Sequence, residues 1–393
     1  MPIMTGLSGN EIYCLHLQNF APGDLVVGNS VFSVGFLGGI GSGFKTLVGG
    51  EVDQVTSIIH EGRAKALERM VHEAQSRGGV GITGVTSELV QHAGNVEFLS
   101  IGSSVHKEGY EGQSEKLEFS SSADGQELYC QMDAGFRPLK FAFGNVAYSI
   151  GVGGGIVGAL RGLGRGEVVE YSNIFNQTRH LALQRICMDA LSVGANAVVG
   201  VETSIIPFRG MQEMVMIGTA SHHDALPPAP KQAVGPGGLA VGAMPVTSDL
   251  TCEEMWNLAH LGYMPVRLLL GASVYSLGVV GGIAAAFRSF VRGEITELSK
   301  LIYEARHNAL ARIAAEAQAC GADDVVGIKC HVYQLGGGMI EFLAIGTAVK
   351  RMEGARTNSE MLPAQAVIRD KDTFINTAEM ALGTNLNARS GGD

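Results

Sequence analysis

Apolar positions along this chain change their spacing in a fixed order, and the order occurs three times. Runs rich in Val, Phe, Tyr and Leu at 25–34, 141–150 and 268–277 predict a long strand. Each run ends in a related octet: G-N-S-V-F-S-V-G at 28–35, G-N-V-A-Y-S-I-G at 144–151 and G-A-S-V-Y-S-L-G at 271–278. Glycine-rich segments follow at 36–50, 152–166 and 279–293, which read as a tight turn and a short helix. The apolar spacing then turns helical. In the third copy Ile295, Leu298, Leu301, Ile302, Ala305, Ala309, Leu310 and Ile313 form one stripe. The other copies carry a similar stripe. This helix is expected to begin at Glu51, Glu167 and Glu294, where a carboxylate suits the positive N-terminal end. It is expected to end near Gly78, Gly194 and Gly321, glycines suited to a left-handed cap. Two further strands complete each unit, at 79–89 and 97–103, 197–206 and 213–219, and 325–333 and 340–347. A short strand is predicted to open each unit at 12–17, 128–132 and 255–259. Pro22, Pro138 and Pro265, which lack an amide donor, are expected to mark either a break between it and the long strand or a sheet edge.

The register confirms the repeat. Gly50, Gly166 and Gly293 each lie 15 residues beyond the octet's closing glycine, and Arg63, Arg179 and Arg306 each lie 12 residues beyond the following glutamate. Glu11, Glu127 and Glu254 align upstream, as do Gly84, Gly200 and Gly327 downstream. A repeat of about a hundred residues is too long for a solenoid unit and marks tandem domains. They are placed at 10–105, 127–220 and 251–350. The linkers are 106–126, which is polar, and 221–250, rich in Pro and Gly and expected to be extended. The tail, 351–393, lacks the pattern, and part of it (361–382) reads either as an arm that docks on a neighbour or as disordered chain. The fold class is α+β: β-α-β-β units, each packing a helix on an antiparallel sheet.

Composition narrows the function. Only 17% of the 393 residues are charged, and the 55 glycines are about twice average usage. Such a chain is built to bury surface, including surface between subunits. A net charge of −10 argues against a phosphate-backbone reader, so no nucleic-acid partner is expected. The amino terminus shows no basic segment followed by an apolar run, which makes a cytoplasmic location the expectation. Six cysteines without C-x-x-C spacing fit reduced thiols.

Several of these segments resemble a known family. In the third copy they are G-G-I-A-A-A-F-R-S-F-V-R-G-E before the helix, G-A-D-D-V-V-G-I-K at 321–329 and L-A-I-G-T-A-V at 343–349. The second copy has G-A-N-A-V-V-G-V at 194–201 and I-G-T-A at 217–220, and the first, the most divergent, has G-G-V-G-I-T-G-V at 78–85. They are similar to the YbjQ-like family of small proteins, often labelled heavy-metal-binding domains. The resemblance implies a dodecin-like fold. For single-domain relatives it implies a five-membered ring in which short strands cross between neighbours. It implies no established reaction.

The chemistry in the residues is sparse. Metal binding needs convergent ligands, and the tight clusters are Cys330 with His331 and His222 with His223. Neighbours on a strand point to opposite faces, so Cys330 and His331 are not expected to chelate one ion together. A divalent heavy metal is the only cofactor the family label brings. Arg63, Arg179 and Arg306 are charges held in register within an apolar unit, and each is expected to have a fixed partner in its own unit or the next. The aligned Glu51, Glu167 and Glu294, with Gly28, Gly144 and Gly271, are expected to be structural or interface positions. Gly38 and Gly39, with their counterparts, lack the G-K-[ST] or G-x-G-x-x-G context of a phosphate cradle. Uncharged stretches at 25–44, 141–160 and 268–287 are long enough to span a bilayer, but they carry glycines and fall at one phase of the repeat. No catalytic constellation emerges. The leading reading is a non-enzymatic, self-assembling protein that forms five-fold-type rings; its three units either share one ring of chains or enter different rings and cross-link them into a closed shell, whose cargo the sequence leaves open. The alternatives are a heavy-metal or small-ligand module on an oligomeric scaffold, and a membrane-active, pore-like oligomer.

Overall fold

The computed structural model describes residues 2–33, 50–92, 94–149, 166–208, 211–229, 234–235, 238–239, 244–276, 296–336, 339–366 and 374–376. The glycine-rich turns, Glu294 and most of the tail lie outside the described residues, and with them the short helix expected after each octet.

Each unit opens with a short helix rather than the expected strand. These helices are α1 (Gly9–Leu17) in the first unit, α3 (Gly125–Asp133) in the second and α5 (Cys252–His260) in the third. All three are started by capping boxes, Ser8 with Glu11, Asp124 with Glu127 and Thr251 with Glu254. The aligned glutamates are therefore N3 residues that return a hydrogen bond to the cap. Alternating apolar residues in so short a stretch concealed this signal.

The first unit continues with β1 (Phe20–Ser33), β2 (Gly50–Glu51), α2 (Asp53–Ser76), β3 (Gly81–His92) and β4 (Asn95–Lys107). A linker strand β5 (Phe119–Ser120) leads to the second unit, where β6 (Arg137–Ser149), β7 (Gly166–Glu167), α4 (Val169–Leu191), β8 (Ala197–Phe208) and β9 (Met211–His222) follow α3. The second linker carries β10 (Val234–Gly235), β11 (Gly238–Leu239) and β12 (Val246–Thr247). In the third unit α5 precedes β13 (Tyr263–Ser276), α6 (Thr296–Ala319), β14 (Asp324–Gly336) and β15 (Met339–Arg351), and β16 (Phe374–Asn376) comes from the tail.

The prolines do not separate strands as expected. They sit inside the long strands at bulges, where the register shifts between Pro22 and Leu25, Pro138 and Lys140, and Pro265 and Arg267. A bulge tolerates the missing donor. A second bulge falls at Gly84, Gly200 and Gly327, all with φ near +60°. The main helices end as expected, with Gly78, Gly194 and Gly321 at φ +70°, +74° and +66°.

In every unit the helix lies across the first strand at a glycine. A Cβ on Gly28, Gly144 or Gly271 would overlap the carbonyl oxygen of Ala66, Ala182 or Ala309 on the facing helix. Small residues on both sides let the two backbones touch. All six cysteines are free. Among the described residues no helix is long and apolar enough to cross a membrane.

Candidate functional site: the junctions between units

The sheets are not closed within units. The second sheet runs β12-β8-β9-β6-β2 and the third β16-β14-β15-β13-β7, so the glutamate strands of the first and second units are each added to the sheet of the next. Gly50 and Glu51 pair with Ser149 and Tyr148, and Gly166 and Glu167 pair with Ser276 and Tyr275. In the opposite direction, β5 and β12 run back in parallel beside β3 and β8 of the preceding unit. Two strand exchanges of opposite sense thus tie each pair of neighbours. The expected helix start at Glu51 and Glu167 is corrected accordingly: these residues belong to the crossing strand, and the helices begin at Asp53 and Val169.

The helix that follows each crossing strand covers the next unit's long strand. At the first junction Val52 N donates to Ala147 O (2.8 Å), Ala147 N donates to Thr56 Oγ1 (2.9 Å), and His60 stacks on Phe143 while lying 3.2 Å from Asn145. At the second, Val168 N donates to Val274 O (2.8 Å), Val274 N donates to Ser172 Oγ (2.9 Å), and Asn176 bonds both backbone groups of Ala272. The two junctions share one construction with different side chains.

The arginines find their partners across these junctions. Arg63 donates from Nε and Nη2 to Glu213 (3.0 and 2.8 Å) and from Nη1 to Ser87. Arg179 makes the same fork to Glu341 (3.2 and 2.7 Å) and lies over the rings of Tyr148 and Phe175. All four charged side chains are fully buried. Burial pushes the Glu341 carboxyl up and the Arg179 guanidinium pulls it back down. A buried fork of this kind fixes register more than it adds stability. The landmark glutamates form a second pair at each junction, Glu51 with Arg185 (2.6 Å) and Glu167 with Arg312 (2.9 Å). In the third unit Arg306 lies 5.6 Å from the Phe342 ring.

Sequence reasoning missed the carboxylate partners, though a signal was present. Glu97, Glu213 and Glu341 each stand four residues before an Ile-Gly pair in all three copies.

The three short helices meet in a shared core that includes Leu15, Leu128, Cys130, Cys252 and Trp256. Burial, with Asp124 and Glu253 nearby, pushes Glu127 up to about 8. Burial also raises the thiols of Cys14, Cys130 and Cys252, which keeps them protonated. Because the folded state holds the Glu127 proton more tightly than the unfolded chain does, this site's contribution to stability is full below about 4.3 and is lost as pH rises through about 8. Glu127→Gln keeps an acceptor for the Asp124 amide and removes the charge. It is expected to raise the melting temperature by a few degrees at pH 8.5 and to leave it unchanged near pH 5, as followed by circular dichroism.

The metal candidates do not converge. Cys330 packs with the α6 side of its sheet, while His331 lies on the opposite face, parallel to Tyr333, where burial and Lys329 lower it to about 4. Lys329 is itself paired with Asp249 (2.5 Å), beside a cleft reached by Glu202 and His331. His222 meets Asp224 at 3.3 Å, whereas His223 is buried against Phe136 and near Ala134 O. Among the described residues no group of three or more His, Cys, Asp or Glu side chains gathers to hold an ion. The donor set described here does not fit a resident metal.

The described start of the tail docks on its own chain. Ser359 bonds Asp133 and meets Tyr129 in the second unit, and Asn358 N donates to Asp133 O.

A unit of this kind, sharing its sheet edges with neighbours, places the chain in a defined class. A family model described as "Putative heavy-metal-binding" matches residues 20–107, 136–223 and 264–352. The chain belongs to this family, YbjQ, in three tandem copies. It is 34% identical over 206 residues to the "Encapsulin nanocompartment protein Rv1762c" of Mycobacterium tuberculosis, covering 51% of this chain and 76% of that protein. It is 36% identical over 115 residues to the UPF0145 protein MmarC6_1828 of Methanococcus maripaludis, covering 29% of this chain and 98% of that one. A UPF0145 protein of Sulfurisphaera tokodaii is 40% identical over 103 residues, which is 26% of this chain and 90% of the relative.

Proposed function

We propose that this chain is a non-catalytic structural protein that assembles with copies of itself into rings and, through them, a cytoplasmic shell. The observation that carries the reading is the junction. Each internal neighbour pair exchanges two strands and buries an arginine–glutamate fork, so a unit completes its sheet only with a neighbour on each side. A strand edge left without its neighbour is a site for another chain. The compartment-forming role that the name of the mycobacterial relative states is in keeping with this.

Counting units narrows the geometry. A ring closed by whole chains through this junction contains a multiple of three units. A five-membered ring would take three units from one chain and two from another, and would require the second internal junction of that other chain to open so that its third unit enters a second ring and cross-links the two. The triplication supplies a route from rings to a shell.

Negative-stain electron microscopy of untagged protein tests this reading. Discrete ring-based or hollow particles are expected. Particles no larger than one chain at micromolar concentration overturn it.

A further inference from the structure

The two internal junctions show how one unit packs on the next, and the first and third units expose the faces that are packed there. We propose that the third unit of one copy docks onto the first unit of a second copy through a repeat of the internal junction, head to tail. This deepens the self-assembly reading and rests on it.

Three separate features of the ends carry the inference. The first is an uncovered strand face. Phe141, Phe143 and Ala147 on β6 are buried under α2, and their counterparts Leu268, Leu270 and Val274 on β13 are buried in the core shared with α4. The same positions on β1 are Leu25, Val27 and Val31, which are 40%, 41% and 58% exposed. The helix that precedes β1, α1, leaves them exposed.

The second is an uncovered helix face. Asn176 and Leu183 on α4 face the next unit, and Leu183 is buried. Their counterparts on α6, Tyr303 and Leu310, are 69% and 38% exposed. An apolar stripe on α6 thus matches an apolar face on β1, and in both internal junctions elements of these two types are packed together.

The third is a pair of strand edges. Leu25 N donates to Met4 O just as Phe141 N donates to Ser120 Oγ and Leu268 N to Thr247 Oγ1, so residues 3–4 correspond to β5 and β12. Those strands pair in parallel with β3 at Gly81 and Ile82, and with β8 at Ala197 and Val198. The corresponding residues of the third unit are Asp324 and Val325, and β16 pairs further along β14, from Cys330 to Val332. Ile3 and Met4 are exposed. In the assembly they add to β14 of the preceding copy at Asp324 and Val325.

The charges fit the same register. Arg63 reaches Glu213 and Arg179 reaches Glu341, so Arg306 reaches the equivalent carboxylate, Glu97, of a second copy. Glu97 stands on β4 beside the exposed face, held by Asn29 Nδ2 (3.1 Å) and His92 Nε2 (2.8 Å). A contact of this kind is heterologous: the two surfaces differ, and it propagates until a ring closes.

Charge exchange in the full-length chain tests the proposal. Glu97→Arg and Arg306→Glu each place like charges at the junction and are expected to raise the protein concentration for half-assembly about ten-fold or more, read by light scattering. Mixing the two variants in equal amounts restores assembly, because one end then meets the native pair and the other the reversed pair. Val31→Lys, at a site 58% exposed and directly opposite Glu97 on β4, gives the sheet an opposite-charge pair while placing a charge in the docking face, and is expected to reduce assembly likewise. If wild-type particles form and all three variants assemble like wild type, the docking proposal is overturned while self-assembly stands. A wild-type protein that remains a single chain removes both.

Discussion

Arg179→Met is expected to cost about 3–5 kcal/mol, because it strands the fully buried Glu341 carboxylate without its guanidinium. The loss is read as a shift in urea midpoint at an unchanged slope. Arg179→Met combined with Glu341→Leu is expected to recover most of it, since a well-packed apolar pair avoids the desolvation that the ion pair must offset. The pH dependence distinguishes this from simple loss of packing. A carboxyl raised above its unfolded value stabilises the fold only below that value, about 4.3, and the contribution disappears as pH rises through the folded pKa. The single variant is therefore less destabilised at pH 5 than at pH 8. The double variant is not expected to show this trend.

Gly144→Ala is expected to cost about 3 kcal/mol, although only a methyl group is added. Its Cβ would overlap both Ala182 O and Ile186 N, backbone atoms of α4 that move only with the whole helix. α4 in turn covers β13 of the next unit through Asn176, so the displacement reaches the second junction. Gly9→Ala provides the comparison. Gly9 opens α1 with nothing within 4 Å of its Cβ, and its replacement is expected to stay within about 0.5 kcal/mol. Thermal melting of the two variants checks both statements.

Much of the unit was legible in the sequence because hydrophobic spacing and glycine placement are local signals. The long strand, the main helix, its glycine caps and the final hairpin all stand close to where the spacing places them. The short opening helices were not legible as helices, since nine residues give too little periodicity to separate 3.6 from 2. Their capping boxes, with Glu11, Glu127 and Glu254 at N3, were the better signal. The crossing strands at Gly50 and Gly166 escaped for another reason. Two residues that pair only with another unit carry no pattern of their own, and a glutamate ahead of a helix reads naturally as a helix start.

The candidate site divides the same way. That Arg63 and Arg179 have fixed partners followed from charge held in register within an apolar repeat. That those partners are Glu213 and Glu341, 150 and 162 residues away, required the fold. The histidine and cysteine clusters show the limits of adjacency as evidence. His331 and Cys330 are neighbours in sequence and lie on opposite faces of one strand.

Triplication has a consequence for assembly. This chain has two junctions inside it, with different side chains at each. His60 and Asn145 serve at the first, Asn176 and Ala272 at the second. Distinct junctions discriminate one neighbouring unit from another, much as distinct core layers fix the topology of a bundle.

Native mass spectrometry of the untagged full chain at micromolar concentration tests the central claim most directly. Self-assembly through shared sheet edges requires a discrete species whose mass is a whole multiple, greater than one, of 41.2 kDa. A single species at 41.2 kDa under those conditions contradicts it.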